Sequence, residues 1–250
     1  MKLKVLTMIL ASINVFSLFG QQQTTDKINT SKGPLLVKPI EHATFVLTWN
    51  ESTIYVDPVG GAEAFKSINK PDLILITDIH GDHFDLKTLE AINSPNTKII
   101  TPQAVADKLP ASLKSNLVVL KNGEQTTASN IDITAIPMYN LPESSTAFHP
   151  KGRGNGYVLT IADKKIYISG DTQNIPEMRD LKGIDAAFIC MNLPYTMDIN
   201  EAAKAVLTFK PKVVYPFHYR GKDGLSDVNK FKELVNSSDK NIEVKLLKWY

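Results

Sequence analysis

Residues 73–85 read "LILITDIHGDHFD" and place Asp78, His80, Asp82 and His83 within six positions at the end of an apolar run. Imidazole nitrogens and carboxylate oxygens in one short loop suit Zn, Mn or Fe, and two overlapping groups of ligands can serve two ions. A polar helix start explains Asp85 as a cap but leaves both histidines without a role. The chain has five histidines, His42, His80, His83, His149 and His218. At least four stand at expected element ends beside Asp, Gly or Pro, where a scaffold can aim them into one cleft.

Such a cleft needs strands that end together. The runs "LLVKPI", "TFVLTW" and "TIYVDP" read as a β-meander with a turn at "WNES". "DLILIT" is then an apolar strand, "LKTLEAI" a short helix, "TKII" a strand and "PQAVADKL" a helix with proline at an allowed early position. The second half restarts with the strands "LVVL", "IDITAIP", "GYVLTIA" and "KKIYISG", with a hairpin turn at "ADKK". Alternation follows: "IPEMRDL" and "INEAAKAVLTF" are helical and "DAAFIC" and "KVVYPF" are strands. "LSDVNKFKELV" is a helix capped by Ser226 or Asp227, and "IEVKLLKW" is a closing strand. Two halves, each with strands first and strand–helix alternation after, predict an α/β fold: a four-layer αββα sandwich built from two similar halves.

The 250 residues, 43% of them hydrophobic, suffice for one domain with a sizeable core, and no linker or short repeat divides them. Lys2 and Lys4 precede an apolar run over residues 5–19 that ends at Gly20, the pattern of a secretory signal peptide over residues 1–20. The run falls short of the roughly 20 apolar residues of a membrane span and is interrupted by Asn14. Expected boundaries are therefore a signal peptide at 1–20, a polar leader at 21–31 and a single domain at 32–250. The mature protein would be periplasmic or secreted, without a stable membrane anchor. Cleavage removes two lysines and no acids, so the formal charge of +2 falls to 0. A neutral chain has no global field to recruit nucleic acid or a membrane surface. Cys190 has no second cysteine to pair with and reads as a small buried hydrophobe in "DAAFIC".

On these motifs the sequence resembles the metallo-β-lactamase superfamily, whose signature H-x-H-x-D-H follows an apolar strand. Here it reads D-x-H-x-D-H, so His80, Asp82 and His83 match and Asp78 replaces the first histidine. "YISGDT" resembles the strand before the metal-bridging aspartate, which implies that role for Asp171, and "VVYPFHY" resembles the segment carrying the last histidine, His218. "EHATFVL", "FHPKGRGNGYVL", "GDTQNIPEM" and "YTMDINEAAKAV" are together similar to the branch containing ascorbate phosphate lactonase and the phospholipase D acting on N-acyl phosphatidylethanolamine. The resemblance implies two divalent ions, Zn or Mn with Fe also accommodated. One would be held by Asp78, His80 and a third ligand, the other by Asp82, His83 and His218, with Asp171 between them. For the third ligand, Asn140 stands where many relatives have histidine, whereas His149 lies nine residues later; His149 is preferred because an amide is a poor ligand for such an ion. Asp78 adds a hard negative ligand, which predicts weaker preference for zinc and more tolerance of manganese or iron.

Such a pair, about 3.5–4 Å apart, would hold a hydroxide and polarise a carbonyl or phosphoryl oxygen, with Asp82 orienting the hydroxide. Asp57 either accepts a hydrogen bond from a ligand histidine or forms an ordinary Asp-Pro turn. His42 is a proton-transfer group in the cleft or a satisfied strand-end histidine. Tyr195 is an oxyanion donor or pocket wall, with core packing as the alternative. Lys151 and Arg153 either attract an anionic small-molecule substrate or lie on a solvated loop. "GRGNG" lacks the lysine–serine ending of a phosphate loop and reads as a turn. The function these features predict is an exported metal-dependent hydrolase of ester, lactone or phosphodiester bonds. The alternative is a non-catalytic or mononuclear metal- or ligand-binding protein in which Asp78 and Asn140 mark a degenerate site.

Overall fold

A computed structural model describes residues 24–250, so the signal peptide expected at 1–20 lies outside the described residues. The first sheet contains β1 (Asp26–Thr30), β2 (Gly33–Glu41), β3 (Thr44–Trp49), β4 (Ser52–Val56), β5 (Leu73–Leu75), β6 (Lys98–Thr101) and β7 (Leu117–Val119), in that spatial order. The second half follows with β8 (Gln125–Ala128), β9 (Ile131–Met138), β10 (Gly154–Ile161), β11 (Lys164–Ile168), β12 (Ala186–Cys190) and β13 (Val213–Phe217). A small hairpin of β14 (Arg220–Gly221) and β15 (Gly224–Leu225) precedes β16 (Glu243–Val244). The second sheet runs β16-β13-β12-β11-β10-β9-β8. Helices are α1 (Leu86–Ile92), α2 (Gln103–Ala106), α3 (Pro176–Arg179), α4 (Ile199–Phe209) and α5 (Val228–Ser238).

Both sheets follow one pairing rule. β1 to β4 are antiparallel and β4 to β7 parallel; β8 to β11 are antiparallel and β11, β12, β13 and β16 parallel. The two similar halves expected from the sequence are thus present as a sandwich, except that "LVVL", read as the first strand of the second half, is β7 at the edge of the first sheet. Alternation explains its layers, since successive strand residues face opposite sides. In β3, β4 and β5, Phe45, Leu47, Ile54, Val56, Leu73 and Leu75 face the central core. The intervening Val46, Tyr55 and Ile74 pack outward with Leu89 and Ile92 of α1 and Val105 of α2. Across the centre, Phe45 stacks on Phe188 of β12 at 4.3 Å between ring centroids. On the far side, Tyr167 of β11 meets Phe209 of α4 edge-on.

Three local expectations are corrected. The segment read as a polar leader contains β1, whose pairing with β2 starts the sheet before residue 32. The closing strand "IEVKLLKW" pairs as a strand only at Glu243–Val244. Beyond it the chain leaves the sheet edge, carrying Trp249 against Phe45 and Phe217. "PQAVADKL" is helical only over Gln103–Ala106, with Pro102 outside as the cap position. Among the described residues, no helix is long and apolar enough to cross a membrane.

The halves are joined where the site will form. The Asn155 N–H donates to Thr77 O at 3.0 Å, tying the start of β10 to the end of β5. Gly154 permits this approach, because a Cβ there would lie 2.8 Å from Thr77 O and 2.5 Å from Met138 Cε. Of "GRGNG", only Gly152–Arg153 form a turn; Gly154–Gly156 already belong to β10 and bring the His149 loop against the Asp78 loop.

Candidate metal centre

Strand ends deliver the site residues to one rim. The Asp78–His83 loop leaves β5 and enters α1, whose cap Asp85 accepts from the Lys87 and Thr88 backbone N–H groups. His42 follows β2, Asp57 follows β4, His149 lies between β9 and β10, Asp171 follows β11 and His218 follows β13. His42, Asp57 and His218 all have φ between 45° and 56°. That region is strained for non-glycine residues and concentrates at functional sites.

Three groups of donors result, the last two sharing His218: Asp78, His80 and His149; His83, Asp171 and His218; and His42, Asp82 and His218, each with donor atoms within 4.8 Å of one another. Asp171 stands between the first two. Its Oδ2 lies 3.2 Å from His149 Nε2 and 3.4 Å from His83 Nε2, and its Oδ1 lies 3.4 Å from His218 Nε2. Asp82 Oδ2 lies 3.2 Å from His218 Nε2 and 3.1 Å from His42 Nε2. Asp78 Oδ2 lies 2.8 Å from His80 Nδ1 and 3.8 Å from His149 Nε2.

His83 is held from behind. Its Nδ1 faces Asp57 Oδ2 at 2.8 Å, while Thr77 donates its backbone N–H to Asp57 Oδ1 and its hydroxyl to Asp57 Oδ2. The buried carboxylate therefore accepts the His83 Nδ1–H and turns the other nitrogen toward the cluster. There His83 Nε2 meets His218 Nε2 at 3.1 Å. Two imidazole lone pairs at that distance need a proton or a cation between them.

Ionisation follows from this crowding. Burial pushes His83 down, but Asp171 and Asp57 outweigh it and hold its pKa well above the ordinary value. Burial would raise Asp171, yet His218 and His83 bring it well below the usual carboxylate range. Asp82 is likewise lowered, burial being outweighed by its bonds to His218 and His42. Asp78 is lowered against its burial by His80, His83 and Arg153. Burial raises Asp57. The acids of the cluster are thus held in their charged form by the histidines and Arg153 around them.

The donor set fits divalent ions. His149 Nε2 and Asp171 Oδ1 are buried without a hydrogen-bond partner among the described residues, and both belong to the clusters. Buried polar atoms are rarely left so, and a bound ion would satisfy them. The nitrogen and carboxylate mixture is the chemistry of Zn, Mn and Fe sites.

A family model for a beta-lactamase superfamily domain matches residues 37–218. The chain belongs to the metallo-β-lactamase superfamily. A UPF0173 metal-dependent hydrolase from Pyrococcus abyssi is 31% identical over 223 residues, covering 84% of this chain and 96% of that protein. Its counterpart from Pyrococcus horikoshii is 33% identical over 226 residues, covering 85% and 96%. The crystal structure of a protein from Parabacteroides distasonis, assigned as a metal-dependent hydrolase, superposes with a TM-score of 0.79. It shares 38% identity and covers 91% of this chain and all of that one. This superfamily member is a metal-dependent hydrolase.

Several expected residues occupy positions that redefine them. Asn140 spends both ends of its amide on neighbours: its Nδ2 donates to Tyr195 O and its Oδ1 accepts the His149 N–H, both at 2.8 Å. It shapes the loop that presents His149. Arg153 turns to the metal loop, its Nε and Nη2 donating to the two oxygens of Asp78. Lys151 is paired with Glu143 at 3.0 Å and Glu177 at 3.2 Å and covers the Tyr139 ring. Neither cation lines the cavity beside the clusters, and each charge is already matched by nearby carboxylates.

That cavity has a volume of about 290 Å³ and is lined by His80, Asp82, Phe148, His149, Asp171, Asn192 and Tyr195. Tyr195 is a wall residue, its ring edge-on to Phe148. His42 stands behind Asp82, with Nδ1 2.7 Å from the Tyr250 hydroxyl. Cys190 is buried, which pushes its thiol up to about 11. Sequence reasoning missed Phe148, Asn192 and Tyr250. Phe148 adjoins His149, and Asn192 shares a loop with Tyr195; Tyr250 carried no local signal.

Proposed function

We propose that this hydrolase works with two divalent ions, one held by Asp78, His80 and His149 and the other by Asp82, His83 and His218, with Asp171 shared. The observation that carries this reading is the placement of Asp171 between the Nε2 atoms of His149, His83 and His218, at 3.2–3.4 Å from each. Bound there, such ions supply Lewis acidity and acidify water at neutral pH. The chain's own residues do the rest. Asp57 holds the tautomer of His83, His42 holds Asp82 at the cavity, and Asn140 holds the His149 loop in reach. Asp82, half-exposed in the cavity wall, orients the attacking water.

The substrate is a small molecule with an ester, lactone or phosphodiester bond, in keeping with a cavity at the small end of ligand pockets. The neutral charge balance after residue 20 favours such a substrate over nucleic acid. Export rests on the amino-terminal pattern of residues 1–20 and leads to the periplasm or the exterior. Zn and Mn are the expected ions, with Fe accommodated because Asp78 is a harder ligand than histidine.

The test is elemental analysis of the purified protein followed by a hydrolysis panel of aryl esters, lactones and phosphodiesters. Two ions per chain and turnover lost in His83→Ala and Asp171→Ala are the expected results. Well below one ion per chain, unrestored by Zn or Mn, would reject the dinuclear reading in favour of a degenerate binding protein.

A further inference from the structure

Asn192 has only 2% of its surface exposed, yet it lines the cavity that holds the donor clusters. Its backbone N–H donates to the Thr196 hydroxyl at 3.0 Å, and that hydroxyl donates its hydrogen back to Asn192 Oδ1. Thr196 is itself buried, so the acceptor end of the amide is sealed and oriented. The two hydrogens on Nδ2 have no protein partner among the described residues. An amide donor on a cavity wall with no protein partner is free to bond a substrate oxygen.

The remaining lining divides into two kinds. His80, Asp82, His149 and Asp171 are the proposed ion ligands, which offer acceptor atoms inward. Phe148 and Tyr195 form an aromatic corner, with ring centroids 5.1 Å apart at 79°, and Phe148 leaves 52% of its surface to solvent. A large apolar ring exposed at a cavity mouth is suited to covering an apolar substituent.

We infer that Asn192 Nδ2 donates to the carbonyl or phosphoryl oxygen on which charge develops, and that the Phe148–Tyr195 corner selects substrates carrying a compact apolar group beside the scissile bond. The inference rests on the hydrolase reading above. Water supplies its oxygen to the carbon or phosphorus and its proton ends on the leaving oxygen as the ester bond breaks; Asn192 exchanges no atom and no electron. Pre-set donors of this kind act where transition-state charge appears, and losing one typically costs about 10²–10³ in kcat.

The test uses phenylphosphonate and methylphosphonate, tetrahedral anions with and without an apolar ring, titrated calorimetrically into the zinc-loaded protein. Asn192→Ala should weaken phenylphosphonate binding roughly tenfold, the worth of one hydrogen bond, while zinc stoichiometry stays at the wild-type value. Asn192→Ser, a milder replacement that keeps a donor, should fall between the two and guards against a misfolded alanine variant. Phe148→Ala should erase the preference for phenyl over methyl. Equal phenylphosphonate affinity in wild type, Asn192→Ala and Asn192→Ser overturns the inference, as does absence of any binding to the zinc-loaded wild type. Failure of the hydrolase reading is separate, appearing as zinc-loaded wild type that turns over nothing in the ester and phosphodiester panel.

Discussion

Arg153 grips both carboxylate oxygens of Asp78, with Nε 3.2 Å from Oδ1 and Nη2 3.0 Å from Oδ2. The same Nη2 lies 3.3 Å from His80 Nε2. Asp78 is fully buried, so the substitution of aspartate for the first histidine of the signature comes with its own counter-charge. Together the pair is neutral, as the histidine would be. An ion seated on Asp78 must therefore share that carboxylate with a guanidinium.

Removing one partner of a buried pair exposes the other to an uncompensated charge, at a cost of about 3–5 kcal/mol. Arg153→Gln is expected to lose about 3 kcal/mol in urea unfolding of the metal-free protein. Adding zinc or manganese supplies the missing cation, so the deficit should shrink markedly. An equal deficit with and without metal would mean that Arg153 supports the loop rather than the charge of Asp78.

Asp57→Asn tests the buried contact behind His83. The amide can keep its oxygen toward the Thr77 N–H, but its NH₂ then faces the Thr77 hydroxyl and His83 Nδ1, where two hydrogen bonds end on Asp57 Oδ2. His83 must move its proton to Nε2, the nitrogen facing the cluster. Zinc affinity, measured by chelator competition, should fall about 10–100-fold, as such substitutions do. On the two-ion proposal the loss should fall on one ion; an equal loss at both would mean general loosening of the site.

How far these relationships can be read from sequence depends on their span. Phe45, Leu47, Ile54 and Val56 announce their strands by local alternation, and "DIHGDH" announces a metal loop because four donors fall within six residues. β1, "DKINT", has no such pattern; its stabilising partners Tyr215 and Lys245 lie in the other half of the chain. Arg153 looked like a solvated or substrate-facing cation because Asp78 is 75 positions away. The relation of Asn140 to His149 shows only in three dimensions, where the first hydrogen-bonds the backbone of the second. Lys151 follows the same rule, its charge taken by acids on two separate segments.

Tyr250 fixes the protonation pattern of His42. The Tyr250 oxygen accepts the Arg220 N–H and lies 2.7 Å from His42 Nδ1, while His42 Nε2 faces the Asp82 carboxylate. Since the carboxylate only accepts, Nε2 carries the hydrogen and Nδ1 accepts from the tyrosine hydroxyl. Nitrogen chemical shifts of His42 should report the Nε2–H tautomer in wild type and a mixture in Tyr250→Phe. Turnover should fall about fivefold, the worth of one hydrogen bond, with metal content unchanged. Finding the Nδ1–H tautomer in wild type would break the chain from Tyr250 to Asp82.

Asp26 links the two sheets, and pH reveals it. On β1 its Oδ2 accepts from the Tyr215 hydroxyl of β13 at 2.6 Å and from Lys245 Nζ at 2.8 Å. Burial pushes its pKa up, but the bonds from Lys245 and Tyr215 outweigh this and leave it below the usual value. A carboxylate with a depressed folded pKa adds stability above the unfolded value of about 4 and loses it as pH falls through the folded value. Asp26→Asn keeps an acceptor but no charge, so at pH 7 it should be less stable by about 1–2 kcal/mol in urea unfolding. With both proteins stripped of metal, the gap should close as the pH is lowered from about 5 toward 2, because protonation makes the wild-type side chain neutral as well. Metal ligands titrate alike in the two proteins and cancel from the difference. A gap that stays constant over that range would show that the shape of the Asp26 side chain, and not its charge, joins β1 to β13.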